Sequence, residues 1–405
     1  MSRLDELIAE LCPNGVEYKA LEEIASIELG RRVTKAEIDR NPGQYPVWHG
    51  GETPMGYINK TNCPPYTVLV ANTGSIGYVN WISIDSWCSD AASMVIVKKD
   101  ILSSRFLYHF LKSKEFKIKK FRRIGGVPTL ELRKLRSFPI PLPPLQVQRE
   151  IVRILDNFTE LTAELTAELT AELTARRKQY EYYRDLLLTF GDEVEWKTLG
   201  EIGKLIRGSG LLKSDFVEEG FPCIHYGQIH TYYGTSANET ISFVSVDKSK
   251  KLKKAKKGDV LIAGVSENVE DVCKPLAWLG GDICISGDMF AFRHNQNTKY
   301  ITYLLQTTDF SRYKEKFAHG AKVTRLRQDK LLAYKIPVPP LEEQERIVAI
   351  LDRFDALCND LTSGIPAEIE ARQKQYEYYR DKLLSFKEGK PWVMETKKGF
   401  QTNFL

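Results

Sequence analysis

Several clusters in this 405-residue chain carry the side-chain types that make contact with polyanions. One half offers Arg31 and Arg32, then Asn72, Thr73 and Ser75 within TVLVANTGSIG (Thr67 to Gly77), then Lys119, Lys120, Arg122 and Arg123 just before Gly125. The other half offers Arg207 and Ser209, then His225, Tyr226 and Gln228, and last Lys322, Arg325 and Arg327. Lys and Arg neutralise phosphates, while Arg, Asn and Gln match the donors and acceptors on base edges. The two sets are therefore candidate nucleic-acid contacts, although each residue could equally be an ordinary solvated charge or turn. The run KSKKLKKAKK (Lys248 to Lys257) is too polar for a core and is either phosphate-binding or a solvated loop.

Catalytic patterns are weak by comparison. A methyltransferase would need an N-P-P-Y-type tetrapeptide; Asn62, Cys63, Pro64, Pro65 and Tyr66 have one residue too many, and no Gly-rich cofactor loop precedes them. No G-x-x-x-x-G-K-[ST] loop occurs to cradle a nucleotide. His225 and His230 lie five apart without Cys partners, a poor zinc pattern. No catalytic residue and no metal site are expected. The net charge of +5 permits a polyanionic partner without demanding one. Seven cysteines form no C-x-x-C pair, the opening MSRLDELIAEL is too acidic for a secretory signal, and no run approaches a membrane span, so a cytoplasmic protein with reduced thiols is expected.

The elements that must position these groups show up as a repeat. At a shift of 196 residues, IPLPPLQVQREIVRILDNF (Ile140 to Phe158) aligns with IPVPPLEEQERIVAILDRF (Ile336 to Phe354), and ARRKQYEYYRDLLLTF (Ala175 to Phe190) with ARQKQYEYYRDKLLSF (Ala371 to Phe386). Weaker echoes join VEYKALEEI from Val16 to VEWKTLGEI from Val194, and YPVWHGG from Tyr45 to FPCIHYG from Phe221. One period near 200 residues is duplication of a whole module, not a solenoid.

From Leu145 to Phe190 there is no proline or glycine, and apolar residues recur at helical spacing from Ile151 to Tyr180. This predicts a helix roughly 65 to 70 Å long, which needs a partner; the second copy, Leu341 to Phe386, is the obvious one, in an antiparallel coiled coil. Gly364 and Pro366 should kink or break that copy. The variable segments mix short β runs with a helix each. The expected fold class is α+β: two α/β domains separated by two long antiparallel coiled-coil helices in a pseudo-two-fold repeat. The boundaries are 1–140 and 191–336 for the domains, 141–190 and 337–386 for the helices, and 387–405 for a tail. In the YEYYRD blocks, Tyr182, Tyr183, Tyr378 and Tyr379 either seat a partner on equivalent surfaces or pack the coiled coil.

Two variable domains alternating with near-identical helical blocks, each opening P-x-P-P-L-x-x-Q-x-x-I, with three TAEL tetrapeptides from Thr162 to Leu173 in the first, resemble the specificity subunits of type I restriction-modification enzymes. The TAEL tract is similar to that of the type IC subgroup. The resemblance covers about Asn14 to Phe386. It implies that each variable segment is a target recognition domain reading one half of a bipartite site in double-stranded DNA. It also implies that the helices set the spacer and scaffold two methyltransferase subunits for adenine methylation, with motor and nuclease subunits supplying restriction. S-adenosylmethionine, ATP and Mg would then be bound by those partners and no cofactor by this chain. The Thr67–Gly77 loop fits the family; its counterpart DVLIAGVSENVED departs, with Val265, Ser266 and Glu267 in place of the Thr-Gly-Ser core. A structural coiled-coil adaptor without sequence-specific DNA binding is the alternative.

The TAEL tract has a plain explanation, since Ala, Glu and Leu are good helix formers. It also has a geometric one. Four helical residues advance about 6 Å with about 40° of residual rotation, and one base pair advances about 3.4 Å and turns about 34 to 36°. One tetrapeptide therefore turns the chain by about one base-pair step, while bending must absorb the difference in length.

Overall fold

The structure, a computed structural model, describes residues 3–123, 128–320, 323–359 and 364–389. It divides into two units: residues up to Leu165 together with those from Arg372, and Thr166–Ala371.

In the first unit, helix α1 (Arg3–Leu11) buries Leu4 and half-buries Leu7, Ile8 and Leu11 on the main core. Strands β1 (Ala25–Leu29), β2 (Thr67–Ala71), β3 (Val79–Ile82) and β4 (Ala92–Val97) form an antiparallel sheet in the order β1-β4-β2-β3. β2 is central, with Val68 opposite both Val95 and Trp81, and all five of its residues are buried, so it reads as an unbroken apolar run. Helix α2 (Ser104–Ser113) starts where the Ser103 hydroxyl accepts the Phe106 N–H, and it buries Phe106, Leu107, Phe110 and Leu111. A smaller three-stranded sheet sets Pro42–Trp48 between Gly56–Ile58 and Trp87–Cys88.

Next comes α3 (Leu145–Leu187), 43 residues without a break, about 65 Å long. Its first stretch belongs to the first unit, where Val147, Ile151 and Leu155 enter the core. Its last turns belong to the second.

That second unit repeats the plan. Strands β5 (Gly203–Arg207), β6 (Val260–Ala263), β7 (Pro275–Trp278) and β8 (Met289–His294) take the same order, β5-β8-β6-β7, with Ser236–Ala237 added in parallel at the β7 edge. Helix α4 (Thr298–Leu304) is capped by Asn297, whose side-chain Oδ1 accepts the N–H groups of Lys299 and Tyr300. The second helical copy is interrupted as the sequence predicts: α5 (Leu341–Asn359) ends before Gly364, and α6 (Ile365–Leu383) starts just after it. Pro366 sits in the first turn of α6, where its missing N–H costs no helical bond.

Helix pairing within each unit is antiparallel. In the first, Phe158 of α3 stacks on Tyr379 of α6 with ring centres 6.3 Å apart, and Thr159 meets the Tyr376 hydroxyl at 3.0 Å. In the second, Tyr183 of α3 stacks on Phe354 of α5 at 5.8 Å. The fold is thus α+β, two α/β domains with long antiparallel coiled-coil helices, and both halves use the same construction. No described helix is long and apolar enough to cross a membrane.

Candidate nucleic-acid interface

In the first unit the end of β2 runs into the loop from Asn72 to Gly77. Gly74 and Gly77 have φ of +70° and +77°, and a Cβ on Gly77 would lie 2.8 Å from the Lys119 nitrogen. The loop is therefore pressed against the helix Glu115–Lys119. The Leu130 N–H donates to the Asn72 carbonyl, which attaches the two-residue ribbon Arg122–Arg123 with Thr129–Leu130. Arg31 follows β1 and donates its N–H to Cys88 O, and Ala91 O accepts from both Asn72 and Thr73. Arg31, Arg32, Thr73, Ser75, Lys119, Lys120, Arg122 and Arg123 are thereby gathered at one end of the sheet.

Their availability differs. Lys119 is paired with Glu115, and Lys120 lies over the Phe116 ring. Arg31, Arg32, Arg122 and Arg123 are exposed and have no ion-pair partner among the described residues. Asn72 departs from expectation: it is 6% exposed, and its amide both donates to and accepts from the Ser93 hydroxyl, so it holds the loop from beneath. Exposed His49, with Nδ1 2.8 Å from the Ser89 hydroxyl, belongs to the same end and was missed. The alignment of YPVWHGG with FPCIHYG already placed it opposite His225.

In the second unit, Val265–Ser266 pairs with Thr324–Arg325, and Arg207, Asp288, Arg325, Arg327 and Gln328 line a cleft of about 360 Å³. Arg207 donates to Gly287 O, Arg327 pairs with Asp329 at 3.0 Å, and Arg325 approaches Asp288 only to 3.9 Å. Beside them, Ser209 accepts the Lys253 N–H, and Tyr226 donates its N–H to Ser286. His225 Nδ1 accepts the Gly227 N–H; burial, and then Lys213, push its pKa down, which favours the neutral ring. Gln228 is held as well: its carbonyl accepts the His225 N–H, completing a capping box, and its amide donates to Ser242. Lys322 lies outside the described residues.

The lysine run is not a loop. Val246–Lys251 is helical and Lys254–Ala255 is a strand, because Ser249, Leu252 and Ala255, spaced by three, turn inward. Lys248 pairs with Asp215, and Lys254 sits over Phe221. Buried Lys314 supports the opposite loop by donating to the carbonyls of Glu270 and Val272 at 2.7 and 3.0 Å. Its neighbour Cys273 is held at φ 61° in the left-handed region.

Each domain is clamped to its long helix by the same side chains. Gln148 and Gln344 are fully buried. Each accepts from the residue preceding its domain helix, Ser103 or Asn297, and donates to the proline carbonyl of its own entry turn, Pro143 or Pro339. Two turns on, Asp156 accepts from Arg105 and His109 at 2.8 and 2.7 Å; in the second unit Asp352 accepts from Lys299 and Tyr303 at 2.8 and 2.6 Å. Burial would raise the Asp156 carboxyl, but the bonds from Arg105 and His109 outweigh it and hold the group below its usual range. Asn62, the start of the incomplete catalytic string, is bonded both ways to the Cys88 backbone.

The four tyrosines split by role. Tyr183 and Tyr379 stack within the helix pairs, whereas Tyr182 and Tyr378 are 64% and 63% exposed.

Two copies of one α/β domain, each with a basic face and each clamped to a helix of its own unit, define a duplicated module. The family profile described as the type I restriction modification DNA specificity domain matches residues 13–175 and again 191–371, so the chain belongs to that family. It is 35% identical to the EcoR124I/EcoR124II specificity subunit of Escherichia coli over 95% of this chain and 97% of that one. A Haemophilus influenzae protein named as a type I restriction enzyme specificity subunit is also 35% identical, over 92% of this chain and 96% of its own length. A solved structure described as showing complex assembly and conformational transition of a type I restriction-modification system superposes with a TM-score of 0.64 at 19% identity, covering 92% of this chain and 98% of that one.

Proposed function

We propose that the chain reads a bipartite site in double-stranded DNA, one half with each domain, and scaffolds two methyltransferase subunits whose adenine methylation it directs. The observation that carries this is the same basic end of the same sheet in both copies, with Arg31, Arg32, Arg122 and Arg123 in one and Arg207, Arg325 and Arg327 in the other. Phosphate contact needs such cations, and base readout needs their planar forks. Exposed Tyr182 and Tyr378, at equivalent places, offer one partner surface twice. The chain acts in the cytoplasm and supplies no catalytic residue; S-adenosylmethionine, ATP and Mg belong to the methyltransferase and to motor and nuclease subunits.

The test is a methylation map from cells carrying the chain and its cognate methyltransferase. Arg325→Ala with Arg327→Ala should relax or weaken one half of the motif, each lost contact to a base costing about 1–3 kcal/mol of discrimination. Arg122→Ala with Arg123→Ala should affect only the other half. A chain that binds its partners yet shows no sequence preference would return the adaptor reading.

A further inference from the structure

The two halves are not equivalent everywhere. At the far end of β2 from the Asn72–Gly77 loop, Tyr66, Trp81, Lys99, Arg105, Arg149 and Asp156 line a cavity of about 600 Å³. Tyr66 and Trp81 have ring centres 6.2 Å apart, and Trp81 and Tyr108 5.8 Å. The Arg105 guanidinium lies 4.9 Å from Trp81 and 5.0 Å from Tyr108, fixed by Asp156. Arg105 thus neutralises Asp156, while Lys99 and Arg149 are exposed with no ion-pair partner among the described residues. Tyr66 is 63% exposed and held at φ 61°, a backbone conformation that disfavours a side chain.

The second unit has the same backbone and keeps the ion pair, as Lys299 with Asp352, but not the aromatic wall or the unpaired cations. Gly258, at φ +90°, stands where Tyr66 does, one residue before the Thr67 counterpart Asp259. Ala277 faces Val260 as Trp81 faces Val68. Thr302 takes the place of Tyr108, and Glu345, 196 positions on, takes the place of Arg149. An aromatic wall with unspent positive charge therefore exists in one half only, and a strained tyrosine is kept where its counterpart is the unstrained glycine.

We propose that this cavity is a once-per-chain docking site for an acidic, aromatic-bearing segment of a partner protein. Lys99 and Arg149 supply charge complementarity, and Tyr66 and Trp81 supply a stacking face. The five residues of β2 put the cavity about 17 Å from the loop proposed to meet DNA, so both can be occupied at once.

The experiment is fluorescence anisotropy of a fluorescein-labelled Asp-Glu-Phe-Asp-Glu peptide titrated with the full chain. One saturable site per chain is expected. Arg149→Glu, which writes in the charge of the second half, should weaken binding at least tenfold, and Glu345→Arg should leave it unchanged. Tyr66→Gly should weaken binding several-fold without lowering the melting temperature, an outcome a merely structural tyrosine would not give. Absence of saturable binding, two sites per chain, indifference to Arg149→Glu, or easier displacement by oligothymidylate than by unlabelled peptide would each overturn the proposal. No DNA duplex enters the assay, so the result stands apart from the reading of the DNA site.

Discussion

Lys314 places a positive charge in the interior, hydrogen-bonded to the backbone carbonyls of Glu270 and Val272 and set over the Phe310 ring. Burial pulls its pKa below the usual lysine range, so the site strains against its own charge to fix the loop that carries Val265 and Ser266. Lys314→Met would leave both carbonyls unpaired, and a loss of about 1–3 kcal/mol is expected in urea unfolding. It should also blur base preference in the half-site read by the second domain alone, which a methylation map would show. His109 is the matching case in the first unit. Burial, joined by the charges of Arg105 and Arg380, lowers its pKa below the ordinary 6.5 against the opposing pull of Asp156, so the folded chain favours the neutral ring. The unfolded chain then takes up the proton first, and stability falls as pH drops below about 6.5, well before Asp156 is protonated. His109→Tyr copies Tyr303, which makes the equivalent bond to Asp352. Its melting temperature should fall less between pH 7.5 and 5 than that of the wild type. Some fall will persist, because His294, pushed down to about 4, titrates the same way. Equal falls in the two proteins would remove His109 from the account.

The helices that meet the domains are governed by single buried glutamines. Gln148 bonds Ser103 N–H, Ile101 O and Pro143 O, so it ties α2, the strand exit and the start of α3 into one corner. Gln148→Ala strands three backbone groups, and roughly 3 kcal/mol of destabilisation is expected, with Gln344→Ala similar in the second unit. Calorimetry showing either variant within 0.5 kcal/mol, roughly the scatter of a surface change, would contradict the clamp. This corner was visible in the sequence only as the repeated P-x-P-P-L-x-x-Q string, with no sign of what the glutamine bonds. The polar residues singled out as readers met the same difficulty. Asn72 and Gln228 have the side chain that reads adenine and also the side chain that holds a turn; in the folded chain each bonds a serine, Ser93 or Ser242, that the local sequence does not point to. The lysine run misled for a related reason, since a period of three in Ser249, Leu252 and Ala255 is too short a signal to stand out among seven lysines.

What could be read without coordinates at the scale of the molecule was the duplication, because two copies of 16 and 19 residues at one shift fix helix length and pairing together. α3 ends at Leu187, inside the last turn of the predicted span, and the second copy is divided into α5 and α6, with Gly364 just before α6. The pairing of Tyr66 with Gly258 follows from aligning TVLVAN with DVLIAG, but that both positions are left-handed, strained for the tyrosine and relaxed for the glycine, was not visible until the backbone conformations showed it. The TAEL tract is where length becomes function. α3 runs through Thr162–Leu173 without a break, Leu165, Leu169 and Leu173 are half-buried, and the Thr170 and Thr174 hydroxyls each bond the carbonyl four residues back. Removing Thr170–Leu173 deletes one whole tetrapeptide and leaves the face above and below it the same. Everything beyond it moves about 6 Å and turns about 40° along the helix. With the DNA proposal, that rotation is one base-pair step, and the 2 to 3 Å surplus, roughly, is within what bending of DNA absorbs at small cost. The deletion should therefore give a methylation motif with both half-sites intact and a spacer one base pair shorter, at little loss of stability because the deleted side chains are mostly exposed. An unchanged spacer would mean that α3 carries the domains without setting their phase, and loss of both half-sites would mean that the tract is needed for assembly itself.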